Sequence, residues 1–314
     1  MRSVWIVTAL LAAAPALAET ADERLDRHCR AALELATSYP EDFPASGRYD
    51  GVRDGWCRFR DVRLTSGGYD PDIWIDELDL RGDAFGFFTL GEKPETPGLR
   101  AEAKVGGLHI VPKAHEPLMD YLLAAQAQSW AISVEAALDW DAAGRVLRLS
   151  RLDLDFPGEN AVSLSMTVAN VDLSSDGAMQ MSVTGFAVTE AALDVTTKGL
   201  FESFLLMPLG SELLPFDGDV LAAAENLRLK ALGGIAAMPE AAVPAASKDA
   251  LSRLMAEMPN PSGRLTMAFR ADPGFGPSRL GFIGLYGMPG SVAEAAPLFQ
   301  GVTLDVTWTH EDAD

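Results

Sequence analysis

The stretch that decides the fold is Trp130-Ala131-Ile132-Ser133-Val134-Glu135-Ala136-Ala137-Leu138-Asp139-Trp140. Its even positions carry Trp, Ile, Val, Ala, Leu and Trp, whereas its odd positions carry Ala, Ser, Glu, Ala and Asp. A period of two is typical of a β-strand that lays one face on an apolar layer and the other in water. The stretch is therefore predicted to be a half-buried strand.

The same alternation continues along the chain on the C-terminal side of this strand. After a turn at 141–144, apolar residues recur from Leu147 to Phe156, with a one-residue slip near Ser150 and Arg151 that a β-bulge would absorb. A second turn precedes another alternating run at 162–168, and a further run covers 179–195. These runs predict consecutive strands that share one apolar face.

Outside this region the pattern predicts more strands and a few helices. Leu99 to Val105 alternates cleanly, and Gly106-Gly107 predicts a bulge. Further strands are predicted for 49–64, 73–80, 85–90, 226–232 and 302–309. Helical spacing predicts helices at 20–38, 115–128 and 200–214 and a helix capped by Ser247, and 233–246 has the composition of a linker.

This order of elements predicts the fold class. About a dozen strands follow one another mostly through short turns, with only three or four helices, and short connections favour antiparallel pairing because parallel pairs need long crossovers. The predicted fold is mainly β with a few helices, arranged as a long antiparallel bent sheet or half-barrel. Its apolar face would be covered by helices or by a ligand.

The N-terminus predicts export. Arg2 precedes an apolar run at 4–14, and Ala16-Leu17-Ala18 fits a secretory cleavage site. We therefore predict a signal peptide at 1–18 and a β-rich periplasmic domain at 19–314, with two subdomains at 19–129 and 130–314 as the alternative. No later segment combines the length and the lack of charge of a transmembrane helix, so none is predicted after signal cleavage.

The two cysteines, Cys29 and Cys57, are interpreted through this compartment. An even cysteine count in an oxidising environment favours a disulfide over two free thiols. Their spacing is too long for a two-cysteine redox motif. The predicted disulfide would tie the first helix to the first strand region.

The charge balance excludes some partners. The chain has 25 Lys and Arg against 45 Asp and Glu, a formal net charge of -20. Nucleic acid is not a predicted partner, because its binding depends on basic side chains that neutralise phosphates. Anionic lipid headgroups would also be repelled, so a lipid ligand would have to be held by its apolar part.

The sequence offers no catalytic signature. The four histidines, His28, His109, His115 and His310, do not have the spacing of a zinc pair. An acidic cluster at 70–83 does not fit a calcium-loop template, and a solvated strand face is the favoured interpretation. Nucleophile-elbow and phosphate-loop motifs are absent from the sequence. We predict a protein that is not an enzyme, with no catalytic, cofactor or metal residues, and keep an exported hydrolase as a third alternative.

Two phrases resemble bacterial envelope proteins of the AsmA-like group. They are Val168-Ala169-Asn170-Val171-Asp172-Leu173 and the run Leu193-Asp194-Val195-Thr196-Thr197-Lys198-Gly199-Leu200, which leads into an apolar helix. The similarity of pattern covers roughly 130–309. It implies a bent β-sheet whose apolar groove is associated with lipid handling between membranes, although this chain departs from the group in lacking a membrane anchor.

The leading hypothesis is an exported, non-enzymatic protein that binds a lipid or another apolar ligand in a β-sheet groove. A sheet of this length needs a cover for its apolar face, and few helices are predicted to provide one. The alternative is an envelope structural or protein-interaction module without a small-molecule ligand, which docks a partner protein through sheet edges or apolar patches. The candidate ligand face consists of Trp130, Ile132, Val134, Leu138, Leu164, Met166 and Val168.

Overall fold

A single ten-stranded antiparallel sheet organises the chain. The computed structural model describes residues 19–38, 44–68, 70–92, 97–215, 217–279, 281 and 295–311. The predicted signal peptide at 1–18 lies outside them. The strands are β1 (Ala45–Arg53), β2 (Trp56–Leu64), β3 (Asp72–Arg81), β4 (Gly98–Val111), β5 (Ile132–Asp141), β6 (Val146–Phe156), β7 (Asn160–Ala169), β8 (Ala187–Lys198), β9 (Ser262–Phe275) and β10 (Val302–His310).

The strands lie side by side in chain order, and every neighbouring pair is antiparallel. The predicted class, a mainly β protein with a bent, half-barrel-like antiparallel sheet, is confirmed. The strands on the two sides of the predicted 129/130 boundary, β4 and β5, are neighbours in this one sheet.

Two predicted bulges are present in the sheet. Between Leu149 and Leu152, strand β6 has one residue more than each neighbouring strand, which is the slip expected near Ser150 and Arg151. In β4 the pairing passes from Val105 to Leu108, so Gly106 and Gly107 form the other bulge. Each extra residue returns the following apolar side chains to the same face of the sheet.

Gly107 shows why glycine is required at the bulge in β4. Its φ is +66°, in the left-handed region, and a Cβ atom there would lie 2.3 Å from Oδ2 of Asp76. The same Asp76 oxygen lies 3.1 Å from Nε2 of His109, whose Nδ1 lies 2.9 Å from the carbonyl oxygen of Ala127. The buried His109 therefore connects the bulged region to the end of the helix that follows β4.

The described helices are more numerous than predicted. They are α1 (Ala21–Thr37), α2 (Ala84–Leu90), α3 (Pro117–Ala127), α4 (Asp176–Gly185), a π-helix (Phe201–Leu205) that continues into α5 (Leu206–Leu213), α6 (Val220–Ala237), α7 (Ala245–Glu257) and a 3₁₀ turn (Ala296–Phe299). The helices predicted at 20–38, 115–128 and 200–214 are confirmed.

Three segments predicted as strands are helical. Residues 85–90 belong to α2, the first half of the run at 179–195 belongs to α4, and 226–232 lie within α6. The sheet accordingly has ten strands rather than about a dozen. Short stretches of alternating apolar residues fit either a strand or a buried helix face, so tertiary packing decided these cases.

The linker and the cap predicted before β9 were also wrong. Helix α6 continues to Ala237, and α7 begins at Ala245 after Pro244. Ser247 lies inside α7, where its Oγ accepts a hydrogen bond from the backbone N–H of Val306 at 2.9 Å. Its role is to satisfy a backbone donor of β10 rather than to cap a helix.

Among the described residues, helices cover the apolar face near the margins of the sheet. Helix α1 packs on β1–β3 around Phe59, and α7 packs on β9 and β10 around Val306 and Trp308. Helix α2 and the segment at 171–173 cover one end of the strands from β4 to β8, around Leu99 and Trp140. The buried core is therefore divided into three clusters.

Helix α1 is held on the sheet by a disulfide and a polar contact. Cys29 and Cys57 form the predicted disulfide, which joins α1 to β2 with a Cα–Cα distance of 6.0 Å. The Tyr49 hydroxyl donates to Asp26 at 2.8 Å. A hydrogen bond from Arg30 lowers the pKa of Asp26, and burial, together with the Asp26 contact, raises the pKa of Tyr49.

Removal of the disulfide is expected to destabilise the protein. Cys29→Ala combined with Cys57→Ala should lower the free energy of unfolding by about 3–4 kcal/mol, because the link restricts the unfolded chain. Urea denaturation of the oxidised protein and the double variant measures this difference. Equal midpoints for the two proteins would show that α1 docks without help from the disulfide.

The margins and the centre of the sheet should respond differently to the same truncation. Leu99 is 1% exposed, so Leu99→Ala should cost about 3 kcal/mol through the cavity it leaves. Leu164 is half-buried on an uncovered surface, so Leu164→Ala should cost about 1 kcal/mol. Urea denaturation gives both values, and equal losses would contradict the description of an uncovered centre.

Candidate ligand-binding face

Two apolar rows run across all ten strands in exact cross-strand register. The first row consists of Tyr49, Phe59, Leu78, Val105, Val134, Leu154, Val162, Val195, Leu265 and Trp308. The second row consists of Val52, Cys57, Leu80, Ala103, Ala136, Leu152, Leu164, Leu193, Met267 and Val306. Directly opposed residues on an antiparallel pair point to the same face, so both rows lie on one side of the sheet.

The helices within the described ranges leave the middle of both rows uncovered. The ten row members on strands β4 to β8 are all half-buried, and none of them belongs to the three buried clusters formed by the described residues. We call them the central apolar face: Val105, Val134, Leu154, Val162, Val195, Ala103, Ala136, Leu152, Leu164 and Leu193. An apolar surface of this extent in contact with water is a candidate binding surface.

The structure brings most of the predicted ligand-face residues to this side of the sheet. Ile132, Val134 and Leu138 alternate along β5 on the apolar side, and Leu164, Met166 and Val168 do so along β7. Val134 and Leu164 belong to the central apolar face, and Leu138 borders it opposite Leu149. Met166 and Val168 instead belong to the cluster under α2, and Ile132 is buried.

Trp130 lies outside the strand for which it was predicted. Strand β5 begins at Ile132, and the Trp130 ring packs against Phe204 of the π-helix with a centroid distance of 5.4 Å. Phe204 in turn contacts Phe156 at the end of β6, at 4.9 Å. These three rings connect the π-helix to the ends of β5 and β6.

The sequence interpretation missed members of the central apolar face on β4, β6 and β8. Val105, Leu152, Leu154, Leu193 and Val195 complete the rows around Val134 and Leu164. Their alternation was visible in the sequence and could have been used. Which residues of different strands share a row depends on the register and on the bulge in β6, which only the structure provides.

The opposite face of the sheet is polar and carries many opposed charges. Arg60 lies 3.2 Å from Asp79 and Arg151 lies 2.7 Å from Glu135. Arg264 binds Asp194 at 2.6 Å on the C-terminal strands. The more exposed pairs, Arg151–Glu135 and Arg264–Asp194, contribute about 0–1 kcal/mol each. Their main effect is to make this side of the sheet compatible with water.

A shallow depression of about 490 Å³ lies on this polar face. Its lining includes Asp153, Ser163, Asp194 and Thr307, although apolar groups make up most of its surface. The carboxylates of Asp153 and Asp194 border the depression, and an aliphatic chain laid over them would displace their water without replacing its hydrogen bonds. The depression is therefore a weaker candidate for an apolar ligand than the central apolar face.

Members of the acidic cluster at 70–83 have basic partners. Asp72 lies 2.6 Å from Lys113, Asp76 lies 3.1 Å from His109, and Asp79 pairs with Arg60. Within the described ranges, no group of three or more Asp, Glu, His or Cys side chains is arranged to hold a metal ion. Each of these three carboxylates therefore has a basic partner within the protein.

Ser66 and Lys113 form a serine–lysine pair that bears on the hydrolase alternative. The Lys113 ammonium group donates to the Ser66 hydroxyl at 3.2 Å, to the Ser66 carbonyl at 2.6 Å, and is ion-paired with Asp72. The Ser66 hydroxyl itself donates to the carbonyl oxygen of Asp70. The Ser66 hydroxyl directs its hydrogen to Asp70 and Lys113 is engaged by Asp72, so the contact is not the nucleophile-to-base hydrogen bond of a serine–lysine hydrolase. The pair closes the loop between β2 and β3.

Comparison with protein-family models gives no match, and comparison with curated proteins finds no similar sequence. Among the helices of the described chain, none has both the length and the apolar character needed to cross a bilayer.

Proposed function

We propose that this chain is an exported, non-enzymatic protein that binds the aliphatic part of a lipid, or another apolar molecule, on the central apolar face. The observation that carries this proposal is the pair of apolar rows, which continues across the sheet where the helices do not cover it. An apolar ligand that covers these side chains would gain about 25 cal/mol of favourable free energy for each Å² of apolar surface removed from water.

The extent of the face suits a lipid chain. Strands β4 to β8 are separated by four inter-strand spacings of about 4.8 Å, so the uncovered rows span about 19 Å. One leaflet of a bilayer has a hydrocarbon depth of about 15 Å, half of the whole core. An aliphatic chain of membrane-lipid length therefore fits across the strands.

The charge of the protein limits the headgroup. With a net charge of -20, the protein attracts neither anionic phospholipids nor fatty-acid carboxylates. A neutral or zwitterionic headgroup that stays in water, with the chain on the sheet, is the favoured arrangement.

Export rests on the sequence of the first 18 residues and on the disulfide. Disulfides persist in oxidising compartments, and Cys29–Cys57 is such a bond. The resemblance to the AsmA-like group agrees with a periplasmic location and a lipid ligand, and it stays a part of this proposal.

The second candidate function, a protein-interaction module, is favoured by exposed apolar helices rather than by the sheet edges. On the edge strand β10, the N–H groups of Leu304 and Val306 are bound by the Ala242 carbonyl and the Ser247 hydroxyl. On the other edge, β1 is interrupted by two register shifts. Both features oppose pairing with an additional strand.

Native mass spectrometry of the full-length mature protein from its own periplasm tests ligand binding. We expect an adduct that organic extraction removes, with the mass of a neutral or zwitterionic lipid. Extracted protein should then bind N-phenylnaphthylamine, a neutral apolar dye, with an increase in its fluorescence. A protein that carries no adduct and leaves the dye in water would contradict the proposal.

A matched pair of substitutions on β7 locates the binding face. Leu164→Asn places an amide on the central apolar face and should weaken dye binding about tenfold, because the amide loses its water. Ser165→Asn introduces the same side chain on the opposite face and should leave dye binding unchanged. Fluorescence titration measures both variants, and equal affinities for the two would refute the assignment of the face.

A further inference from the structure

Two helical segments expose large apolar side chains to solvent. On α3, Leu118, Tyr121 and Leu122 are 68%, 71% and 49% exposed. On α5, Met207, Leu209 and Leu213 are 80%, 43% and 57% exposed. We call these six side chains the acidic apolar surface, because the sequence around them carries Asp and Glu but no Lys or Arg. Several large apolar groups exposed on one helix mark an interaction site more often than single scattered ones do.

The segment after α3 contacts the π-helix through Trp130 and Phe204. Trp130 follows α3 by three residues, and its ring packs on Phe204, which belongs to the π-helix that continues directly into α5. Every residue of the π-helix and of α5 is described, and none is fully buried. The intramolecular packing of these helices leaves Met207, Leu209 and Leu213 exposed.

The sequence segments that carry this surface are acidic. Residues 114–130 and 199–227, which contain α3, the π-helix, α5 and the start of α6, include no Lys or Arg. Their acidic residues are Glu116, Asp120, Glu202, Glu212, Asp217, Asp219 and Glu225, and Glu225 is ion-paired with Arg228 at 2.8 Å. Apolar side chains surrounded by carboxylates complement a surface that is apolar and positively charged.

We infer that the acidic apolar surface docks a basic amphipathic segment of a partner protein. Such a segment places its apolar stripe on the Leu, Met and Tyr side chains and its Lys or Arg residues beside the carboxylates. Flexible Met side chains, such as that of Met207, adapt to different partners. This inference is independent of ligand binding on the sheet.

The same charges disfavour two other occupants. A second copy of the chain brings the same carboxylates to the contact, and like charges across an interface repel. A bilayer rich in anionic lipids attracts basic segments and repels acidic ones. Both the apolar side chains and the carboxylates of the acidic apolar surface therefore favour a basic protein segment as its occupant.

Isothermal titration of the full-length mature protein with a synthetic amphipathic helix of Leu and Lys tests the inference. We expect binding that weakens as salt is raised, and no binding of the matched helix of Leu and Glu. Met207→Ser combined with Leu213→Ser should weaken binding about tenfold through lost apolar burial. Met181→Ser, which changes a Met that is 76% exposed on α4, is the matched control and should have no effect.

Charge reversal tests the electrostatic half of the inference. Glu212→Lys combined with Asp217→Lys should weaken binding of the Leu/Lys helix about tenfold, because attraction is replaced by repulsion. Glu34→Lys, an exposed position on α1, should change it little. All of these positions are exposed, so circular dichroism and thermal unfolding should show that the variants fold like the natural protein.

Three outcomes would overturn the inference. The first is peptide binding that the surface variants and their controls affect equally. The second is binding to phosphatidylcholine vesicles that Met207→Ser with Leu213→Ser abolishes, which would identify a membrane as the occupant. The third is a dimer in sedimentation velocity that the same variants dissociate. Leu164→Asn should leave peptide binding unchanged, which separates this result from the test of the ligand face.

Discussion

The structure depends on one constraint: the described helices are too few to cover the whole apolar face of the sheet. Ten strands place apolar side chains in continuous rows, and a sheet of this kind must bury its apolar face against another layer. The helices supply that layer over β1–β3, over β9 and β10, and along one end of the middle strands. No described helix packs on the central apolar face. The proposed ligand would cover this part of the sheet, as the helices cover the rest.

The fold was predictable where the alternation is long and regular. The strands around 132–168 and the bulge near Ser150 follow from a period of two with a single slip, and the pairing of β6 with β5 and β7 follows from short turns. Helix α6 was missed because 226–232 places apolar residues at both strand and helix spacing. Such short runs carry too little periodicity to separate the two periods, and tertiary packing determines the result.

The candidate site was predictable in kind but not in extent. Val134 and Leu164 were recognised from the alternation of their own strands and lie on the uncovered centre. Met166 and Val168 share that alternation, but α2 and the segment at 171–173 pack over their end of the sheet. Whether a helix covers an apolar residue is a property of distant segments, so the local pattern could not separate Leu164 from Val168.

The uncovered centre can be measured directly by thiol accessibility, because the two natural cysteines are joined in a disulfide. A Leu164→Cys variant, freed of ligand, should react with a small maleimide at nearly the rate of an exposed thiol and be protected by N-phenylnaphthylamine. A Leu99→Cys variant should react slowly with or without the dye. Slow labelling at position 164 in the ligand-free protein, or labelling that the dye leaves unchanged, would contradict the account.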